Sequence, residues 1–124
     1  MKFLHTMIRV KDLEKSEEFY RELGFKESRR KDFPEDKFTL VYLKLDESEY
    51  ELELTYNYDR EEDYELGNGY GHIAISHKDI EKFRDELKSK GYEVTNLSGL
   101  SDGSASYFFV VDPDGYKIEI IEEK

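Results

Sequence analysis

The chain of 124 residues contains no cysteine. This absence excludes disulfide bonds, thiolate metal ligands and a nucleophilic cysteine, so a metal site in this protein must use nitrogen and oxygen donors. The sequence also lacks a run of eighteen apolar residues, and its first residues lack the long apolar stretch of a signal peptide. We therefore expect a cytoplasmic protein that does not enter a membrane.

Basic residues are few in comparison with acidic ones. The chain has 19 Lys and Arg against 30 Asp and Glu, which gives a formal net charge of −11. Such a charge repels a phosphate backbone, and no basic stripe interleaved with aromatic residues offsets it. The composition therefore disfavours nucleic acid as a partner, and most acidic residues are expected to serve solubility.

What the chain does contain is an internal repeat. Glu53 follows His5 by 48 positions, and Glu119 follows His72 by 47. The segments that align without a gap are 5–25 with 72–92, and 50–54 with 116–120. Self-similarity of this kind indicates a duplicated structural unit, and 37% hydrophobic residues with ten Tyr and eight Phe provide the core of one small domain.

The hydrophobic pattern of the first copy predicts a strand, a helix and three more strands. Alternation over 3–10 places His5 and Arg9 on the same face of the first strand. Asp12 is a suitable N-cap for the helix, and Gly24 is a suitable residue to end it. The later strands are expected at 25–28, 39–45 and 50–56, with a loop at 31–37.

The second copy repeats this order of elements. Its strands are expected at 71–76, 92–96, 106–111 and 116–122, and its helix at 79–90. Asp112 opens a type I turn that Gly115 closes. The sequence therefore predicts an α+β fold with two paired βαβββ modules, 1–58 and 70–124, which a linker at 59–69 joins into a single domain over 1–124.

The four repeated His and Glu residues are candidate metal ligands. A lone histidine or glutamate in a strand is usually structural, or exposed on a half-buried sheet. The duplication changes this balance, because two copies that pair their sheets would bring all four side chains to one concave face. Two imidazoles and two carboxylates can bind Ni²⁺, Co²⁺, Zn²⁺, Mn²⁺ or Fe²⁺, with room for water in an octahedral shell. Open positions favour a catalytic metal.

Four segments, at 4–10, 53–57, 69–74 and 112–119, resemble those of the glyoxalase I family, the lactoylglutathione lyases of the vicinal-oxygen-chelate superfamily. They occur in the same order and span essentially the whole chain. The fold of that superfamily consists of paired βαβββ modules, which agrees with the repeat. The resemblance implies a lyase of methylglyoxal detoxification whose metal ligands are His5, Glu53, His72 and Glu119.

The same resemblance implies a substrate and a reaction. The substrate is the hemithioacetal of methylglyoxal with a thiol, usually glutathione, and metal-assisted proton transfer through an enediolate gives a lactoyl thioester. Glu119 and Glu53 are the expected proton-moving pair, and Arg9 and Asn57 match thiol-contacting positions. Short bacterial members favour Ni²⁺ or Co²⁺, with Zn²⁺ as a further candidate. A homodimer is expected, with each site either inside one chain or across the dimer.

The chain departs from the family pattern in one loop. Residues 94–107 contain no Lys or Arg, where many relatives hold the second carboxylate of glutathione with basic residues. Either a different thiol is used, or Arg29, Arg30 or Lys31 compensates. Other activities of the superfamily stay open as alternatives: methylmalonyl-CoA epimerase, a fosfomycin-type thiol transferase, or a non-catalytic antibiotic-binding module.

Overall fold

The computed structural model describes residues 1–103 and 106–123, and the chain divides into two compact units, Met1–Glu65 and Leu66–Lys124. Each unit has one helix and one four-stranded mixed sheet. The prediction of an α+β fold with two βαβββ modules is confirmed. Within the described ranges, no helix is long and apolar enough to cross a membrane.

The first unit contains five elements. They are β1 (His5–Val10), α1 (Leu13–Glu22), β2 (Lys26–Phe33), β3 (Phe38–Lys44) and β4 (Glu51–Asn57). The strand order is β1-β4-β3-β2, with β1 parallel to β4 and the other neighbours antiparallel. The first and last strands of the unit are therefore neighbours, which places residues far apart in the sequence on adjacent strands.

Local signals set the position of α1. The Asp12 side chain accepts a hydrogen bond from the Lys15 amide at 3.1 Å, and Gly24 has a φ of 99° just after the helix. The side chains of Phe19 and Tyr20 are fully buried. In β1, Ile8 and Val10 are buried while His5, Met7 and Arg9 are exposed. His5 therefore points away from the core, as the alternation predicts.

The second unit repeats this order in β5 (Ile73–His77), α2 (Ile80–Ser89), β6 (Ser98–Gly99), β7 (Ser106–Val111) and β8 (Lys117–Glu122). The strand order is β5-β8-β7-β6, with β5 parallel to β8. The Asp112 carboxylate accepts hydrogen bonds from the amides of Asp114 and Tyr116 at 2.9 and 2.8 Å. Together with a φ of 94° at Gly115, these bonds form the predicted turn between β7 and β8.

Two predicted boundaries are wrong. The loop expected at 31–37 begins later, because β2 continues to Phe33, whose ring stacks on Phe38 at 4.6 Å across the hairpin. The strand expected at 92–96 is reduced to a single bridge between Val94 and Val110, and the short β6 follows it. Around that bridge, the side chain of Arg84 binds the Thr95 carbonyl oxygen at 2.6 Å, and the Thr95 hydroxyl accepts from the backbone. Side-chain bonds thus replace part of the expected ladder.

Candidate metal centre

The first His–Glu pair lies on neighbouring strands of the first unit. His5 begins β1, and Glu53 lies in the middle of β4, where Met7 is its register partner. The Nε2 atom of His5 is 2.8 Å from Oε2 of Glu53. The side chain of Glu53 is only 10% exposed and that of His5 35%. Parallel pairing of β1 with β4 therefore gives an imidazole and a largely buried carboxylate that face each other; we call these two residues the first pair.

An aromatic ring forms one wall of the first pair. Tyr42 lies opposite Glu53 on β3, and its ring meets the His5 ring edge-on with 5.7 Å between the centroids. The Thr55 hydroxyl lies 3.4 Å from Oε1 of Glu53. Burial raises the pKa of Tyr42, and the charge of the Glu53 carboxylate is the second cause of this increase. The Tyr42 hydroxyl therefore stays protonated at neutral pH.

The second His–Glu pair, His72 and Glu119, has the same construction. Nε2 of His72 lies 3.4 Å from Oε1 of Glu119, which is in the middle of β8. Phe109 lies opposite Glu119 on β7, and its ring meets the His72 ring edge-on at 5.3 Å. The side chains of His72 and Glu119 are 43% and 16% exposed. Each unit thus brings together the two residues that the repeat predicts as partners.

Each pair is a two-residue arrangement. Among residues 1–103 and 106–123, no group of three or more His, Asp or Glu side chains is placed to hold a metal ion. The assignment of all four residues to one metal therefore stays a prediction.

The two predicted thiol-contacting residues lie on the same strands as the first pair. Arg9 is exposed near the end of β1 with Thr55 as its register partner, and Asn57 ends β4. The amide of Asn57 donates a hydrogen bond to the Tyr64 hydroxyl at 3.2 Å. Alternation places both residues on the face that carries the first pair. Their role in substrate binding stays a prediction.

Comparison with known proteins identifies the family of this chain. The family model of the glyoxalase/bleomycin resistance protein/dioxygenase superfamily matches residues 2–120. The chain belongs to this superfamily. The resemblance predicted from the four sequence segments is thus confirmed.

Relatives of this superfamily member include named enzymes. A lactoylglutathione lyase of Neisseria meningitidis serogroup A is 48% identical over 100% of this chain and 92% of its own length. That of Escherichia coli O157:H7 is 43% identical over 100% of this chain and 94% of its own length. The glyoxalase I of Leishmania major, described as trypanothione-dependent, is 42% identical with a TM-score of 0.84, over 99% of this chain and 87% of that one.

The residues of the two pairs suit a divalent metal. In each pair an imidazole nitrogen and a carboxylate oxygen lie 2.8 or 3.4 Å apart, which is close enough for both atoms to reach one ion. Mixed nitrogen and oxygen donors without sulfur suit Ni²⁺, Co²⁺ and Zn²⁺. The donor set of this superfamily member is therefore compatible with the metal that the resemblance implies.

Sequence reasoning missed the aromatic walls. Tyr42 precedes Glu53 by 11 positions and Phe109 precedes Glu119 by 10. This near-equal spacing in both copies was a signal for an aromatic residue opposite each glutamate across an antiparallel pair.

Sequence reasoning also missed a salt bridge beside the first pair. Arg29 donates to both carboxylate oxygens of Glu51 at 3.3 and 3.1 Å, and the Ser28 hydroxyl donates to Glu51 at 2.6 Å. These bonds lower the pKa of Glu51, and the bond from Arg29 has the largest effect. Arg30 is bonded to Glu17 and Glu27. Two of the three basic residues proposed to compensate in thiol binding are thus engaged with glutamates.

Proposed function

We propose that this protein is a metal-dependent glyoxalase I, a lyase that isomerises the hemithioacetal of methylglyoxal and a thiol to a lactoyl thioester. The observation that carries the proposal is the pair of matched His–Glu arrangements, one in each copy of the repeat. They occur in a chain that is 43–48% identical over its full length to bacterial lactoylglutathione lyases. This relationship favours glyoxalase I over the epimerase, thiol-transferase and antibiotic-binding alternatives.

The residues that would hold the metal are the first and second pairs. A bound divalent cation supplies Lewis-acid stabilisation of the negative charge that develops on the substrate oxygens. Ni²⁺ or Co²⁺ is the proposed ion, and Zn²⁺ is the next candidate, because borderline metals accept imidazole and carboxylate together. The absence of cysteine is compatible with each of these ions.

The two glutamates are the proposed proton carriers. One carboxylate removes the proton from the carbon next to the carbonyl, and the proton returns to the neighbouring carbon. A positioned acid or base contributes roughly 10²- to 10⁴-fold to such a step. The limited exposure of the Glu53 and Glu119 side chains, 10% and 16%, supports this role, because it limits the access of bulk water that would exchange the transferred proton.

Glutathione is the proposed thiol, with Arg9 holding one of its carboxylates and Asn57 an amide. Support comes from the lactoylglutathione lyases among the relatives. The Leishmania major enzyme is described as trypanothione-dependent, so relatives differ in the thiol they use. A thiol other than glutathione is therefore included in the test below.

We further propose a cytoplasmic homodimer in which both modules of each chain act as one functional domain. The four ligands of one site then come from two subunits, the first pair from one subunit and the second pair from its partner. Complementation between inactive His5 and His72 variants distinguishes this arrangement from a site inside one chain.

The test of the proposed function is thioester formation from methylglyoxal by metal-reconstituted protein. Apoprotein is loaded with Ni²⁺, Co²⁺ or Zn²⁺ and assayed with glutathione and with a second thiol. We expect activity with at least one metal and its loss in His5→Ala. The matched control is His77→Gln, which replaces the one histidine outside the two pairs. Absence of thioester with every metal and thiol would contradict the proposal.

A further inference from the structure

A second carboxylate lies next to the first pair. Glu51 is two residues before Glu53 on β4, on the same face of the sheet, and its register partner across the parallel pairing is His5 itself. Its backbone position is thus next to the first pair, although among the described residues its carboxylate does not form a three-membered metal-binding group with them. Its side chain is 20% exposed.

Three hydrogen bonds hold this carboxylate. Arg29 binds both of its oxygens in a two-bond contact, and the Ser28 hydroxyl adds a third bond at 2.6 Å. Two successive residues of a regular strand point to opposite faces, yet both reach Glu51 here. A register shift between Glu27 and Arg29 in the pairing of β2 with β3 makes this possible. A bulge of this kind redirects side chains and is frequent beside active sites.

The guanidinium of Arg29 is itself fixed in place. Its Cζ atom lies 3.7 Å from the centroid of the Tyr42 ring. The Tyr42 ring also makes an edge-on contact with the His5 ring. A planar guanidinium that stacks and forms a two-bond contact at once has little freedom to release its partner.

The second unit has no carboxylate at the position equivalent to Glu51. The alignment of 50–54 with 116–120 puts Lys117 at the position of Glu51. A lysine there cannot act as a ligand when charged, so the second pair has no competing carboxylate at that position. Both pairs therefore present one imidazole and one carboxylate, and only the first needs an additional residue to do so.

We propose that Arg29 is a positioning residue that keeps Glu51 from binding the metal held by the first pair. The proposal rests on the metal-dependent function above. Without Arg29, Glu51 becomes a third oxygen donor next to His5, and the site shifts toward ions that prefer carboxylates, such as Mn²⁺. An added anionic ligand also weakens the cation as a Lewis acid, which lowers kcat rather than raising KM.

The test is calorimetric titration of apoprotein with Ni²⁺ and with Mn²⁺. In Arg29→Gln we expect Mn²⁺ to bind roughly tenfold more tightly, equivalent to about 1.4 kcal/mol, with a smaller change for Ni²⁺. The double variant R29Q/E51Q should restore the wild-type preference and kcat. Lys26→Gln is the matched control. It removes a positive charge from β2, the strand of Arg29, but this charge is paired with Asp46 and not with Glu51.

Three outcomes would overturn the proposal. An equal gain in affinity for Ni²⁺ and Mn²⁺ would show that the loss of the Arg29 charge acts on both ions through its electric field alone. A change in R29Q that persists in the double variant would show that Glu51 is not involved, and unchanged binding in R29Q would show that Arg29 has no such role. Wild-type protein that binds neither ion would instead overturn the proposed function, and this inference with it.

Discussion

At the scale of single residues, the two glutamates of the pairs have different surroundings. Glu53 faces the Tyr42 hydroxyl and has the Thr55 hydroxyl 3.4 Å away. The equivalent positions around Glu119 are Phe109, its register partner, and Ile121, two residues further along β8. Hydroxyl donors occupy acceptor sites of a carboxylate and restrict its rotation. Glu119 is therefore expected to be the more available of the two for proton transfer.

This difference predicts unequal losses of activity. We expect Glu119→Gln to lower kcat by roughly 10²- to 10⁴-fold, the usual contribution of a positioned base, and Glu53→Gln to lower it less. Steady-state kinetics of both variants, loaded with the same metal, measure this. A larger loss in Glu53→Gln would show that the hydroxyls beside Glu53 assist the proton transfer. Tyr42→Phe, which copies the second unit at this position, is the control for their effect.

The contact within each pair was predictable from the sequence, whereas the salt bridge at Glu51 was not. Each His and Glu alternates with apolar residues along its own strand, so the face is fixed by a period of two. The contact of Arg29 with Glu51 depends on the register shift within β2, which simple alternation cannot reveal. Local pattern thus predicts faces, but irregular pairing decides which neighbours meet.

At the scale of elements, β2 is tied to α1 by one guanidinium. Arg30 of β2 binds Glu27 at 2.7 Å and also binds Glu17 of α1. The hydrogen bond from Arg30 lowers the pKa of Glu27, whereas burial raises the pKa of Glu17. The two carboxyl groups therefore contribute to stability with opposite dependence on pH.

The contribution of Glu27 predicts a stability change with pH. Because its pKa is lowered in the folded state, its contribution is present above the ordinary pKa of about 4.3 and is lost as the pH falls through the lower folded value. We expect Glu27→Gln to reduce the free energy of unfolding by about 0.5 kcal/mol at pH 7, as for exposed pairs, and by less at pH 3. Urea unfolding measures this, with Glu35→Gln as the control. An equal loss at both pH values would contradict the charge-based account.

Elements were predicted with unequal success for a physical reason. β7 was predicted with its observed bounds, because its apolar run is bounded by polar turns. The strand expected at 92–96 has a similar alternation, but the hydrogen bonds of Arg84 and the Thr95 hydroxyl take up groups that a regular ladder would use. Competition from side-chain bonds is not visible in hydrophobic periodicity.

At the scale of the whole molecule, the repeat organises the proposed function. In the proposed site each copy supplies one imidazole and one carboxylate, and over the described residues neither copy brings together the three or four protein donors of a catalytic metal site. The duplication therefore explains why both copies keep the same His and Glu positions while their neighbours, such as Glu51 and Lys117, differ.

A site shared between two subunits of a dimer predicts complementation of inactive variants. His5→Ala and His72→Ala are each expected to be inactive alone. A mixed dimer of the two contains one site with both changes and one site with neither, so activity should return to about a quarter of the wild-type value after random reassortment of subunits. Unfolding and refolding the mixture allows this exchange. The absence of any recovery, with mixed dimers verified by mass spectrometry after one variant is labelled with a heavy isotope, would place each site inside one chain.

The most direct test of the central claim is titration of the apoprotein with Ni²⁺. If the two pairs share one ion, wild-type protein binds one Ni²⁺ per chain, and His5→Ala and His72→Ala each weaken that binding by at least about a hundredfold, or about 2.7 kcal/mol. His77→Gln should bind as the wild type does. Full-affinity binding in either of the two alanine variants would show that the pairs act independently and would contradict the account.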